Sequence, residues 1–164
     1  MSKSKAASWA RNAKAALYSA KFKISPVLCV STQLSQSKRF KQGWREFGGK
    51  RCFYRSRWEA NYGMYLEYQK QSGIIFDWLH EPQTFWFDKI KRGIVTYLPD
   101  FKIINLDGSH EWVEVKGHMD SKSRTKIKRF RKYYPQEALS VVGAKWYNSN
   151  KEKLSILIPG WEKG

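Results

Sequence analysis

Trp58, Tyr62, Tyr65, Leu66 and Gln69 recur at helical spacing and share one face. Ser56-Arg57-Trp58-Glu59 has the form of a capping box, in which the serine side chain accepts from the amide three residues on and the glutamate reaches back. A helix is therefore predicted from there to about Gln71, with Gly73 as its left-handed stop. After it the period shortens: Ile74 to Leu79, Thr84 to Phe87 and Gly93 to Leu98 read as short strands rich in aromatic and β-branched residues. Ser121 to Tyr134 returns to helical spacing, with Ile127, Phe130 and Tyr134 inward and Pro135 closing it. Leu139 to Val142 and Lys153 to Ile158 read as two further strands. Upstream, residues 5 to 22 are a weakly amphipathic, alanine-rich helix, followed by Pro26, the apolar run Val27 to Val30 and a serine- and glutamine-rich stretch.

This order predicts an α/β fold with a mixed central β-sheet flanked by helices, formed by residues 51–164, and a basic N-terminal extension over residues 1–50. The chain of 164 residues leaves no room for two full cores.

Tyr97 to Ile104 and His110 to Gly117 flank Asn105-Leu106-Asp107-Gly108-Ser109, a hairpin pattern. If Leu106, Asp107 and Gly108 form a three-residue loop with Gly108 left-handed, Asp100 opposes Glu114. Trp112, Glu114 and Lys116 then share one face, while Val113 and Val115 point the other way. A two-residue Asp107-Gly108 turn would instead oppose Phe101 to Glu114 and separate the two acids. In the first register two carboxylates and a lysine converge, which implies a metal site or a raised pKa. Carboxylate oxygens with a backbone carbonyl and waters suit a hard divalent cation such as Mg²⁺ or Mn²⁺.

Charge changes the picture next. Against 31 Lys and Arg stand 14 Asp and Glu, a net charge of +17. Residues 1–57 hold 14 basic side chains and one acid, and Lys122 to Lys132 adds seven basic residues without an acid. Such single-sign blocks point to phosphate-backbone contacts with a polyanionic partner, through Lys50, Arg51, Arg55, Arg57, Lys122, Arg124, Lys126, Lys128 and Arg129. Trp9 and Trp44, lying in the basic segment, are candidates for stacking on bases. Two cysteines, Cys29 and Cys52, support neither a disulfide framework nor a zinc site. With no apolar run long enough for a membrane span, a cytoplasmic, nucleic-acid-associated protein is expected, not a secreted one. His80, His110 and His118 stand apart from one another and read as structural or surface groups.

Leu98-Pro99-Asp100-Phe101 followed by Val113-Glu114-Val115-Lys116-Gly117 resembles the signature of the PD-(D/E)XK nuclease superfamily. Phe53 to Ala60 resembles the helix start that carries a further acid in phage endonuclease I type Holliday junction resolvases and related phage homing-type endonucleases. The resemblance covers about Phe53 to Tyr147. It implies a restriction-endonuclease-like core and a Mg²⁺-dependent endodeoxyribonuclease with one or two metals per site. Asp100 and Glu114 would be metal ligands, with the carbonyl of Val115 and with Glu59 completing the site. Lys116 would orient or activate the attacking water. Structure-selective cleavage of branched DNA by a homodimer is the leading expectation, and a sequence-specific homing or restriction-like endonuclease is the alternative. From another class, a non-catalytic basic nucleic-acid-binding protein would account for the charge and leave the acids unexplained.

Overall fold

The computed structural model describes residues 42–162. The helix expected over residues 5 to 22, the run Val27 to Val30, Trp9 and Cys29 lie outside the described residues. Eight strands and three helices follow in the order β1 (Gly43–Phe47), β2 (Lys50–Tyr54), α1 (Arg57–Gln71), β3 (Asp77–His80), β4 (Phe85–Trp86), β5 (Thr96–Tyr97), β6 (Phe101–Ile104), β7 (His110–Val115), α2 (Ser121–Tyr133), β8 (Leu139–Val142) and α3 (Ala144–Leu157). The fold is mixed α/β, as the sequence pattern predicts. Among the described residues, no helix is long and apolar enough to cross a membrane.

The central sheet has the order β3-β6-β7-β8, antiparallel except for the parallel pair β7 and β8. β7 is thus an interior strand buried on both faces. Val113 and Val115 pack with Tyr54, Tyr62, Leu66 and Phe101 beneath α1. Trp112, on the opposite face, packs with Phe85, Tyr97 and Phe130, contributed by β4, β5 and α2. α3 lies against α1, where the Trp58 and Tyr147 rings stack 4.1 Å apart at 6°.

The ends of α1 follow its sequence. Ser56 accepts from the Glu59 amide at 3.1 Å. At the other end the Ile74 amide reaches the Gln69 carbonyl and the Gly73 amide the Lys70 carbonyl, a Schellman closure with Gly73 at φ +66°. That closure delays the next strand: Ile74 and Phe76 stay exposed and pairing begins at Asp77.

Two expectations are corrected. Lys153 to Ile158 is not a strand; α3 runs through it to Leu157. The alternation of Leu154, Ile156 and Ile158 imitates a half-buried strand, but Leu154 and Ile158 are four residues apart on one helical face beside Tyr147 and Trp161, and Ile156 is 83% exposed. The boundary drawn at residue 50 falls inside the β1–β2 hairpin, whose Phe47 packs on the main core. The Lys50 ammonium hydrogen-bonds Asp77 at 2.5 Å and the Trp78 carbonyl, so this hairpin is stitched to the sheet rather than belonging to an appended arm.

Candidate functional site

The β6–β7 hairpin adopts the three-residue loop. Ile104 pairs with His110 and Phe101 with Val113, Gly108 sits at φ +82°, and the Asn105 amide donates to the Ser109 carbonyl at 2.8 Å. One step beyond the last pair, this register sets Asp100 opposite Glu114. Backbone direction refines the arrangement. The amides of Trp112 and Lys116 donate to Ala138 and Val142, toward β8, so Glu114 also turns its backbone to β8 and Val113 and Val115 turn theirs to β6. Asp100 in turn gives its carbonyl to the Glu81 amide on the β3 side. Asp100 and Glu114 therefore form a pair without mutual backbone bonds, the kind in which side chains stand closest.

Both acids are buried. Asp100 Oδ2 accepts from the Val115 amide at 2.7 Å. Glu114 Oε2 accepts from the Tyr97 hydroxyl at 2.8 Å, and Glu114 Oε1 lies 3.0 Å from the Lys116 ammonium. Burial, and then the Glu114 charge, push the Asp100 pKa up to about 8, against the opposing pull of the Val115 amide and Lys116. Burial disfavours the Lys116 ammonium, yet the charges of Glu114 and Asp100 outweigh it and its pKa is raised. Burial and the Glu114 carboxylate likewise raise the Tyr97 pKa.

Pro99 falls opposite Val115 when the register is continued. Val115 turns both its N–H and its C=O toward β6; Asp100 takes the N–H, and proline has no N–H to offer the C=O. The ladder thus ends where a carbonyl stands beside two carboxylates. Among the described residues no three His, Cys, Asp or Glu side chains form a ready metal cage. The donor set is two carboxylates and this carbonyl. It fits an oxygen-seeking divalent cation that keeps several waters.

Glu59, at the start of α1, is near enough for its charge to raise the pKa of Asp100 and of Lys116. Its oxygens are engaged: Oε2 accepts from the Arg55 amide at 3.0 Å, and Oε1 lies 2.7 Å from His80 Nε2. The capping glutamate reaches one residue further back than the capping-box pattern predicts, to Arg55 instead of Ser56. Asp100, Glu114 and Lys116 are therefore brought into one cluster, with Glu59 beside it and held by His80.

The predicted DNA contacts divide. Lys122, Arg124 and Lys128 are exposed on α2 and Lys126 is half-exposed there. Arg51 is exposed, and Arg55 and Arg57 are exposed while paired with Glu81 and, at 3.8 Å, Glu162. Lys50 and Arg129 serve the fold, Lys50 as above and Arg129 by donating to the Ile94 carbonyl. A groove of about 380 Å³ between α2 and β8 is lined by Arg124, Lys128 and Arg131 over Met119, Ile127 and Val141. Val141 pairs with Glu114, so this cationic groove adjoins the acids.

Sequence reasoning misses His80 and Tyr97. His80 pairs with Phe101, next to Asp100, but only long-range strand pairing brings it to Glu59. Tyr97 is one of nine tyrosines and nothing in its neighbourhood marks it.

Residues 40–149 match the model of a family described as a protein of unknown function, DUF1064. No curated protein matches the chain.

Proposed function

We propose that this chain, which belongs to the DUF1064 family, is a metal-dependent DNA endonuclease with a restriction-endonuclease-like core of the PD-(D/E)XK type. The observation that carries the reading is the cross-strand pairing of two buried carboxylates, Asp100 and Glu114, with Lys116 on the same strand face and a ladder that stops at Pro99. Burial, and then the neighbouring Glu114 charge, raise the Asp100 pKa, and holding two such acids together costs stability unless a cation compensates.

Asp100, Glu114 and the Val115 carbonyl are the groups that would hold Mg²⁺ or Mn²⁺. Bound there, the ion supplies Lewis-acid polarisation of the scissile phosphate and acidifies a water. The remaining work falls to the chain. Lys116 presents an ammonium that can leave Glu114 for a phosphate oxygen and hold the nucleophilic water by hydrogen bonding, a task suited to a compact charge with rotatable donors. Tyr97 fixes the orientation of Glu114. Glu59, aligned by His80 and the Arg55 amide, would order a water or a second cation. Arg124, Lys128 and Arg131 offer the DNA backbone a charged track leading to the acids.

Branched DNA is the preferred substrate, because the basic surfaces suit grip on phosphates rather than readout of bases. Two symmetric cuts in such a substrate call for two sites, hence a homodimer. The test is a substrate panel, comprising a four-way junction, its linear arms and plasmid DNA, run with Mg²⁺ and with Ca²⁺ as a binding control. Cleavage of the junction in Mg²⁺ alone is expected. Equal cutting of junction and arms would refute structure selectivity and favour a homing or restriction-like activity. Salt-sensitive binding with no cutting in Mg²⁺ or Mn²⁺ would leave a non-catalytic binder.

A further inference from the structure

The β1–β2 hairpin buries one face and presents the other to solvent. On the outer face Trp44 and Phe53 form a cross-strand pair, 57% and 37% exposed. Their ring centroids are 5.6 Å apart at 71°, so the rings make an open corner rather than a flat stack. The Arg51 guanidinium sits 5.3 Å from the Trp44 ring centre. Arg51, Phe53 and Arg55 alternate along the same face of the chain, a row running straight into the Arg55 amide that holds Glu59. Glu46 is opposite Arg51 at the turn end, and the exposed Arg55 guanidinium is paired with Glu81, a partner that a phosphate would replace.

Two large aromatic side chains on solvent carry a hydration cost that folding could have avoided by using polar residues on an outward hairpin face. Nothing in the packing of the described core requires them. A base is the partner this chemistry recognises: aromatic rings offer it a stacking surface, while flanking guanidinium groups meet its phosphates. The rings can be reached only by a base that is out of the duplex stack.

We propose that the Trp44–Phe53 corner takes an unpaired DNA base, with Arg51 and Arg55 on its neighbouring phosphates, so that the strand delivered to Glu59 and the acids is one with nucleotides unpaired beside the cleavage point. The inference rests on the endonuclease reading and deepens it, because it names the feature of branched DNA that is recognised. It also assigns the β1–β2 hairpin to substrate selection rather than general charge neutralisation.

The full-length protein is tested in Ca²⁺, by anisotropy of a labelled single strand, the same strand with abasic nucleotides, and a duplex of equal length. The natural chain is expected to prefer the base-bearing strand over the abasic one. Trp44→Ala should weaken single-strand binding by about tenfold, leave duplex binding within about twofold, and erase the preference for bases. Trp44→Phe should keep most of it, and Phe53→Ala should act like Trp44→Ala. Equal binding of base-bearing and abasic strands by the natural chain would overturn the proposal. So would a Trp44→Ala protein that changes oligomeric state with unaltered DNA affinity, which would assign the corner to a second copy. Tighter binding of every DNA by Trp44→Ala, as release of the chain's own N-terminal segment would give, would overturn it too. Because binding is read without cleavage, a protein that reads bases but never cuts in Mg²⁺ removes only the endonuclease reading. One that cuts but ignores bases removes only the corner.

Discussion

The Tyr97 hydroxyl donates to Glu114 Oε2 at 2.8 Å, so one oxygen of the glutamate is fixed from β5 while the other meets Lys116. Fixing one oxygen restricts the rotation of the carboxylate and aims the second at the cluster. Tyr97→Phe removes the hydroxyl and keeps the ring packed against Phe130. Cleavage should fall about tenfold, on the scale of one lost hydrogen bond to a charged group, with little change in DNA affinity. Steady-state cleavage and Ca²⁺ binding, measured side by side, check this.

Asp100 yields a pH prediction whose sign is opposite to that of an ordinary salt-bridged acid. Its folded pKa is raised, to about 8, so the native state holds a proton that the unfolded chain has already released near pH 4. Metal-free stability should therefore fall as pH rises from about 4 to about 8, over the window between the two pKa values. Asp100→Asn should flatten that fall and raise Tm at pH 8 but not at pH 4, while abolishing cleavage. Mg²⁺ should raise Tm of the natural chain at pH 8 and leave Asp100→Asn unmoved. Thermal unfolding in EDTA and in Mg²⁺ across this range reads all of these outcomes.

Lys116→Arg should be inactive although it retains the charge and an ion pair with Glu114. A planar fork directs its donors in fixed directions, whereas the ammonium at 3.0 Å from Glu114 Oε1 is a point charge free to turn to another oxygen. Plasmid cleavage in Mg²⁺ decides it, and natural rates in Lys116→Arg would remove Lys116 from the chemistry.

The register that unites the acids depends on Gly108, at φ +82° with open space where a Cβ would stand. Gly108→Ala therefore carries only the backbone cost of the left-handed region, about 1 kcal/mol, and Gly108→Asn less. Urea denaturation of the two variants should show that order.

The hairpin was legible because a loop glycine and strict alternation are local signals, but they fit two registers, and only the pairing of Phe101 with Val113 selects the one that unites the acids. Legible too were α1, whose cap and stop are written in Ser56 and Gly73, and the inward stripe of α2. The end of the chain was not, since Leu154, Ile156 and Ile158 satisfy strand alternation and helical spacing of one pair equally well. Contact with Tyr147 and Trp161 decides between them, and that contact is invisible to a short window. The same limit hid His80, which meets Glu59 across 21 positions, and Tyr97, which meets Glu114 across 17. It also let Lys50 and Arg129 pass for surface charges, when each has a partner on a distant segment.

Pro99 is fully buried and carries no amide hydrogen, and so it keeps the zipper between two ribbons from closing its final tooth. Any residue with an amide hydrogen at that position could cap the Val115 oxygen and silence the cleft by adding a bond rather than by deleting one. A harmful change here would leave the protein firmer and idle, a phenotype that screens for unfolding would overlook.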